Sequence, residues 1–564
     1  MNAILPIDHE RLLLERVKDW EAQYNPDLKL LRTPFSSPGY HTTLKNADFV
    51  HGTYVNLIYA LALLDTALPE YERRAFDIIE TIVELQDTDR SRHTFGIWPW
   101  FYEEPLERMS PPDWNWADFC GKQLLLALFR HGPRFPAPLR ERVKQAVCHA
   151  CDAIIKRDVG PTYTNIAIMG ALVTLIAGEH LGIGAYAEYG ENRLGKFHEF
   201  TFRLKAFQEY NSPTYAVVSV LELSRIRTMT VSERAERMSG ELLELAWEMI
   251  AAHAHARTGE WSGPHSRSYR TLLGAETKSF LQVSTGGQIG FVPQEKLHYS
   301  AEWYGSGLAC PERLFQRFVE SRTETVRQLY MSDPQRGLEK WATTYMTPQY
   351  AIGTFSQEIL WNQCRNLVGY FDNGGSPAYI HLRFLHDGYD YSSAVFSSVQ
   401  NGPDIAFGIR FMTDGGDTHP NLDKTGGTIE ASDLRLRLET GGCLERVTGN
   451  AEGEAAELQI GGISVKLKRL FAAFHDGKET QPTPEWSLKQ EDDRLCLDFV
   501  LYEGERRTFD FRTIESAAFL FALSVGKSIP DYDVDFGTEY AAVGFPGDDA
   551  SLRLELPLKP TGGL

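Results

Sequence analysis

The chain has 564 residues, with 57 Lys and Arg against 76 Asp and Glu, a formal net charge of −19 at pH 7, and 43% hydrophobic residues. That balance describes a folded acidic chain, large enough for several units of roughly 100–200 residues, and excludes disorder. It offers no long-range attraction to phosphate backbones or anionic lipid, so no nucleic-acid and no membrane partner is expected.

The opening segment MNAILPIDHERLLLERVKDW places Asp8, Glu10 and Arg11 where a secretory signal needs an uninterrupted apolar stretch, so a cytoplasmic location is expected. Apolar spacing and buried runs then predict helices over Tyr71–Gln86, Trp116–His131, Leu139–Arg157, Asn165–Leu181, Glu191–Phe207, Tyr215–Ile226 and Ser232–His253. The longest apolar run, Ile166 to Gly178, is closed by Glu179 and His180 before it reaches the ~20 residues that span a bilayer, so no transmembrane helix is expected. Trp116, Asn165, Thr214 and Gly263 recur at intervals of 49 residues; the first three stand at the start of an apolar helix and the fourth lies in the loop GPHSRSY. A period near 50 residues accommodates a helical hairpin and its return loop. The repeated positions sit beside unusual loops, WPWFYEE, DWNWADF, GPTYTN, QEYNSPTY and WSGPHSRSY, which predicts an (α/α) toroid with those loops at one mouth.

After about residue 340 the texture becomes alternating and β-branched, as in YAIGTFS, AYIHLRFL, IAFGIRFM, LRLRLET and AAFLFALSV, with turn signals such as DNGGSP and TDGGDTHP between segments. This predicts a large antiparallel β-sandwich. The fold class is therefore α+β multidomain: a toroid of helical hairpins over 1–330 and an antiparallel β-sheet domain over 341–564, with the boundary between Ser321 and Trp341.

Trp98, Trp100, Trp114 and Trp116 cluster in the proposed mouth loops, and indole faces stack on the C–H faces of sugar rings. A second constellation joins Asn165 of GPTYTN; Glu209, Tyr210, Asn211 and Tyr215 of QEYNSPTY; and His265, Arg267 and Tyr269 of GPHSRSY. These supply an amide, a carboxylate, an imidazole, a guanidinium and phenols. Such groups suit β-elimination at a uronic acid, where the carboxylate is neutralised, the C5 proton is removed and the departing oxygen is protonated.

On these residues and this architecture the chain resembles the toroid polysaccharide lyases with a C-terminal antiparallel β domain, the group of alginate, chondroitin and heparinase II/III-like lyases. The resemblance implies a catalytic set drawn from Asn165, Asn211, Tyr215, His265 and Tyr269. Asn165 or Asn211 would neutralise the carboxylate, while His265, Tyr269 or Tyr215 would transfer protons. Substrate binding would fall to Arg267, Glu209, Trp98, Trp114 and Trp116, on an oligosaccharide or polysaccharide with a uronate near the scissile bond, and no cofactor or metal is expected.

Each residue also has a structural reading: Asn165 as a helix N-cap, Tyr215 as a core residue after a helix-start signal, His265 and Arg267 as satisfiers of loop carbonyls. The rival chemistry is glycoside hydrolysis by Asp113 or Asp118 with Glu209, and a non-catalytic glycan-binding scaffold is the third reading. Cys148-His149-Ala150-Cys151 has metal-like spacing but no second pair nearby, and Asp531, Asp533, Asp535 and Gly537 imitate only part of a calcium loop. The seven cysteines form an odd, sparse set that fits a reducing compartment rather than a disulfide framework.

Overall fold

A computed structural model describes residues 6–38, 40–476, 484–546 and 552–564. The contacts divide the chain into two compact units: Met1–Glu209 with Tyr215–Trp247 and Ala275–Glu312, and Tyr210–Thr214 with Glu248–Gly274 and Arg313–Leu564. Where the sequence places one boundary between Ser321 and Trp341, packing assigns two short excursions of the helical half to the second unit.

The first unit is built of hairpins. After α1 (His9–Glu21), α2 (Thr53–Asp65) pairs with α3 (Pro69–Val83), α4 (Trp116–His131) with α5 (Ala137–Arg157), and α6 (Thr164–Leu181) with α7 (Gly184–Leu204); α8 (Tyr215–Met229) and α9 (Glu233–His253) follow. The first members α2, α4, α6 and α8 pack against one another in chain order and form the inner layer of the toroid. Their composition explains the position: every residue of α6 from Thr164 to Gly178 is buried, whereas α3 buries only one face, including Tyr71, Phe76, Ile79 and Ile82. The α6 and α7 backbones meet at glycines. A Cβ on Gly190 would lie 2.4 Å from the Leu175 nitrogen, so no larger residue fits there.

By length and hydropathy alone α6 could cross a bilayer, but 83% of its apolar window is buried inside the protein. The helix is thus the core element of this unit, and its apolarity is accounted for by burial on all sides.

The inner helices surround a charged centre rather than an apolar one. Lys122 Nζ of α4 donates to Glu222 Oε1 of α8 at 2.8 Å and to Glu302 Oε1 at 3.0 Å, and Arg225 Nη1 donates to both Glu222 oxygens at 2.9 and 2.8 Å. Tyr54 of α2 donates its hydroxyl to Glu302 at 2.9 Å. Burial alone would push the Glu302 carboxyl up, yet Lys122 and Arg225 beside it hold it at about 2. Two cations and two anions balance, the condition under which charges survive away from water.

The second unit is an antiparallel sandwich. One sheet of seven strands runs in the order Gln357–Ile359, Ala394–Asn401, Asp404–Phe411, Ser516–Val525, Ile463–His475, Ala455–Ile460, Val447–Glu452. A nine-stranded sheet has Thr428–Gly442 between Arg494–Asp510 and Pro377–His386. Phe371, Ile380, Leu382 and Phe384 of the larger sheet pack with Phe407, Ile409, Phe519 and Phe521 of the smaller, giving one core. The first strand, Glu324–Asp333, begins before the texture change near residue 340 because its burial is mostly partial and its alternation weak. On the outer face of the larger sheet, Leu272 packs on Val368, Tyr370 and Tyr379.

Candidate functional site

α2, α4 and α6 are each followed by a return helix packed against them, and their N-termini gather at one end with the loop that enters α8. Side chains link them in sequence. Trp116 Nε1 at the start of α4 donates to Thr53 Oγ1 at the start of α2 at 3.0 Å. Asn115 Nδ2 donates to the hydroxyl of Tyr163, the residue before α6, at 3.4 Å. The Asn165 backbone N–H donates to Glu209 Oε2 at 3.0 Å, and Thr164 Oγ1 accepts from the Glu209 N–H at 3.2 Å, which ties the start of α6 to the loop entering α8. The Thr53 N–H also donates to the Trp100 carbonyl of WPWFYEE at 2.9 Å, so four of the five loops singled out in the sequence contribute to one rim. The partial positive charge of helix N-termini concentrates there and favours an anionic ligand group.

Asn165 stands in the first turn of α6 at 2% exposure. It is not the N-cap: Tyr163 holds that position, without a side-chain cap bond. Glu209 serves the helix start instead, its carboxylate accepting the Asn165 backbone N–H. The Asn165 side-chain amide makes no hydrogen bond among the described residues, and its Oδ1 is shielded from solvent. A buried amide oxygen left unpaired costs about 1–3 kcal/mol of stability.

The aromatic residues separate into core and wall. Trp98 is fully buried and donates Nε1 to the Ile82 carbonyl at 3.0 Å; it belongs to the core and has no face for a sugar, which corrects its expected role. Trp114 and Trp116 are half-buried. Trp116 lies 5.2 Å from Trp100 and 5.4 Å from Phe119 between ring centroids, and Trp100 lies 5.0 Å from His41. Trp114 donates Nε1 to the His93 carbonyl at 3.0 Å. Tyr54, 5.0 Å from Phe119, joins this wall to the charged centre; its place in the aromatic series was not legible because it precedes the Trp-rich loops by some 45 residues. Tyr215 is half-buried at the first position of α8.

In the second unit Tyr210–Thr214 of QEYNSPTY and the loop WSGPHSRSY form a hydrogen-bonded cluster. Asn211 is fully buried with φ +50°. Its Nδ2 donates to the Ser262 and Pro264 carbonyls at 2.7 and 2.9 Å, and its Oδ1 accepts from Trp261 Nε1. The amide is spent on the 261–265 loop, so Asn211 positions a loop and does not face a substrate carboxylate.

His265 lies 2.7 Å from the Asn211 carbonyl through Nδ1, which must therefore carry the proton, and 3.2 Å from the Tyr370 hydroxyl through Nε2. At 1% exposure, burial lowers its pKa to about 3. Both nitrogens are engaged and the ring is neutral, which assigns His265 to loop packing rather than to proton transfer in the arrangement seen. Arg267 donates Nε to Gln363 Oε1 at 2.6 Å and lies over Trp361 at 4.9 Å, while Tyr269 is 56% exposed.

Asp118, in the first turn of α4, is at 2% exposure, with Oδ1 unpaired among the described residues. Burial raises its carboxyl to about 7 against the opposing pull of Arg193 and Arg157. Asp113 is occupied, accepting from Trp100 Nε1 at 3.1 Å and from the Asn115 N–H at 3.0 Å. Cys151 of the Cys-His-Ala-Cys run is buried against the Val173 carbonyl, and no group of three or more His, Cys, Asp or Glu among the described residues could hold a metal ion.

Among solved structures, the chain is similar to heparinase III at 9% identity, with a TM-score of 0.49 over 99% of this chain and 92% of that one. It is similar to the Streptomyces coelicolor A3 chondroitin AC lyase at 11% identity, with a TM-score of 0.43 over 95% and 83%, and to a Paenibacillus xanthan lyase at 9% identity, with a TM-score of 0.42 over 96% and 61%. These proteins are of the group the sequence resembles, and the likeness assigns no residue and no reaction. No curated protein sequence matches the chain. A family model described as a domain of unknown function, DUF8769, matches residues 8–302, which covers the whole helical ring up to the Glu302 centre, and the chain belongs to that family.

Proposed function

We propose that this protein is a carbohydrate-active lyase that cleaves a uronic-acid glycosidic bond by β-elimination at the rim of inner-helix N-termini. The observation that carries the reading is Asn165, a buried side chain at the positive end of α6 whose Oδ1 is shielded without a partner and whose amide N–H groups make no hydrogen bond among the described residues. An amide donor at a helix N-terminus stabilises the negative charge that spreads onto the uronate carboxylate as the C5 proton leaves. Tyr215, at the start of the adjacent inner helix, takes the proton-transfer role. The C5–H electrons form the C4=C5 double bond, the C4–O bond breaks, and the departing oxygen receives a proton. Trp116 and Trp114 offer ring faces to flanking sugars.

The uronate need not sit in a long polyanion, since a chain of net charge −19 repels one and the local rim supplies the attraction. Incubation with a panel of uronate-containing glycans tests the proposal: ultraviolet absorbance from a 4,5-unsaturated uronate supports it, and new reducing ends without absorbance overturn it.

The second outcome would favour a paired-carboxylate hydrolase. The specific observation behind that alternative is Asp118, whose carboxyl near 7 is protonated in part at neutral pH and so suits a general acid, with Glu209 as partner.

A further inference from the structure

The opposite end of the helical ring carries a cavity of about 700 Å³, where α4 and α6 end and α5 passes. Arg140, Lys144 and Cys148 follow one another at four-residue spacing, which places them on one face of α5, and all three line the cavity. Phe129, Pro133 and His180 line it from the other side. Phe129 is 39% exposed, an unusual position for a large apolar ring, and lies 5.5 Å from His180 between centroids.

The lining holds no carboxylate, in a chain with 76 acidic residues. Arg140 is left without an ion-pair partner among the described residues, and its Nε is shielded from solvent with no hydrogen bond. Among the described residues Lys144 pairs with Glu141 of its own helix, at 2.9 Å and largely in solvent, an interaction worth little and readily exchanged. Neighbouring Arg142, by contrast, is paired with Glu80 and Glu84. An unpaired guanidinium beside a weakly held ammonium and two flat rings makes a receptor for a flat anion.

We propose that this cavity is a binding site for a small aromatic carboxylate, its charge taken by Arg140 and Lys144 and its ring by Phe129, Pro133 and His180. The site is separate from the rim of helix N-termini and does not depend on the reaction assigned there.

Calorimetric titration of the full chain with benzoate, and with benzyl alcohol as the uncharged counterpart, tests the inference. Benzoate should bind at least about tenfold more tightly than benzyl alcohol, and its affinity should fall with added salt. R140A/K144A should lose at least about tenfold in benzoate affinity while R142A keeps it. If the double variant melts below the parent, the single change K144A, on a partly exposed side chain, serves instead and should weaken binding by severalfold. Absence of benzoate binding to the parent at millimolar concentration, equal binding of benzyl alcohol, or unchanged affinity in the variants would each overturn the proposal.

Discussion

Two buried asparagines, one in each unit, show how alike residues part in function. Asn211 and Asn165 both follow a Tyr-containing loop and are almost wholly removed from solvent. The amide of Asn211 meets three partners: two carbonyls and the Trp261 indole. That of Asn165 meets none among the described residues. Hydrogen-bond accounting, more than burial or residue type, separates the group that holds the protein together from the group whose bonding capacity is unused.

The largest effect expected from breaking this comparison is on the stability of the second unit. Asn211→Ala strips partners from two buried carbonyls and one indole and places a Cβ-bearing non-Asn residue at φ +50°, a combined cost of about 4 kcal/mol or more. Chemical denaturation should show that loss, with Asn211→Ala unfolding well before the parent. Asn165→Ala should do the reverse. It removes no hydrogen bond of the side chain and takes away an unpaired buried oxygen, so stability should hold or rise, by up to about 3 kcal/mol, while turnover on the glycan falls about 10²-fold. Equal stability losses in the two variants would erase the distinction.

A smaller effect sharpens the electrostatics of the rim. Asp118 has a folded-state pKa near 7 against an ordinary value of 3.8, so between those values the native state keeps a proton that the unfolded chain has released. Stability from this group is therefore highest below pH 3.8 and falls by at most about 1.4 kcal/mol per pH unit up to pH 7. Parent and Asp118→Asn denaturation curves taken from pH 4 to 8 should diverge with that sign, the variant gaining on the parent as pH rises. A constant difference would place Asp118 in contact with water or a stronger cation.

Much of the architecture was legible because it is written locally. The helix over Trp116–His131 was read to the residue, and the interval of 49 residues marks the starts of successive inner helices. Four helices escaped the reading, among them the five-residue α11 (Phe315–Val319). The segment TYVNLIYALALLD of α2 is apolar on every face and has no stripe to detect, α1 lies in the segment read for its lack of a secretory signal, and α10 (Ala275–Ser284) is short.

The site was only half legible for a different reason. Residues in loops beside helix starts, which the apolar pattern marks locally, such as Trp116 and Glu209, were legible as mouth-loop residues. Those whose partners lie far along the chain were not: the Tyr370 hydroxyl that meets His265 is 105 residues away, and Lys122 and Glu302 are 180 apart. Read singly, Lys122, Glu222, Arg225 and Glu302 look like solvated charges, and only the fold brings them together in the ring.

The claim that the rim around Asn165 receives a uronate is tested most directly by tryptophan fluorescence, since Trp100, Trp114 and Trp116 line it. Parent protein titrated with a uronate-containing oligosaccharide and with its neutral, carboxyl-reduced counterpart should respond to the charged sugar at concentrations at least about tenfold lower, and Asn165→Ala should lose that preference. Equal responses of the parent to both sugars, or an undiminished preference in Asn165→Ala, would contradict the account.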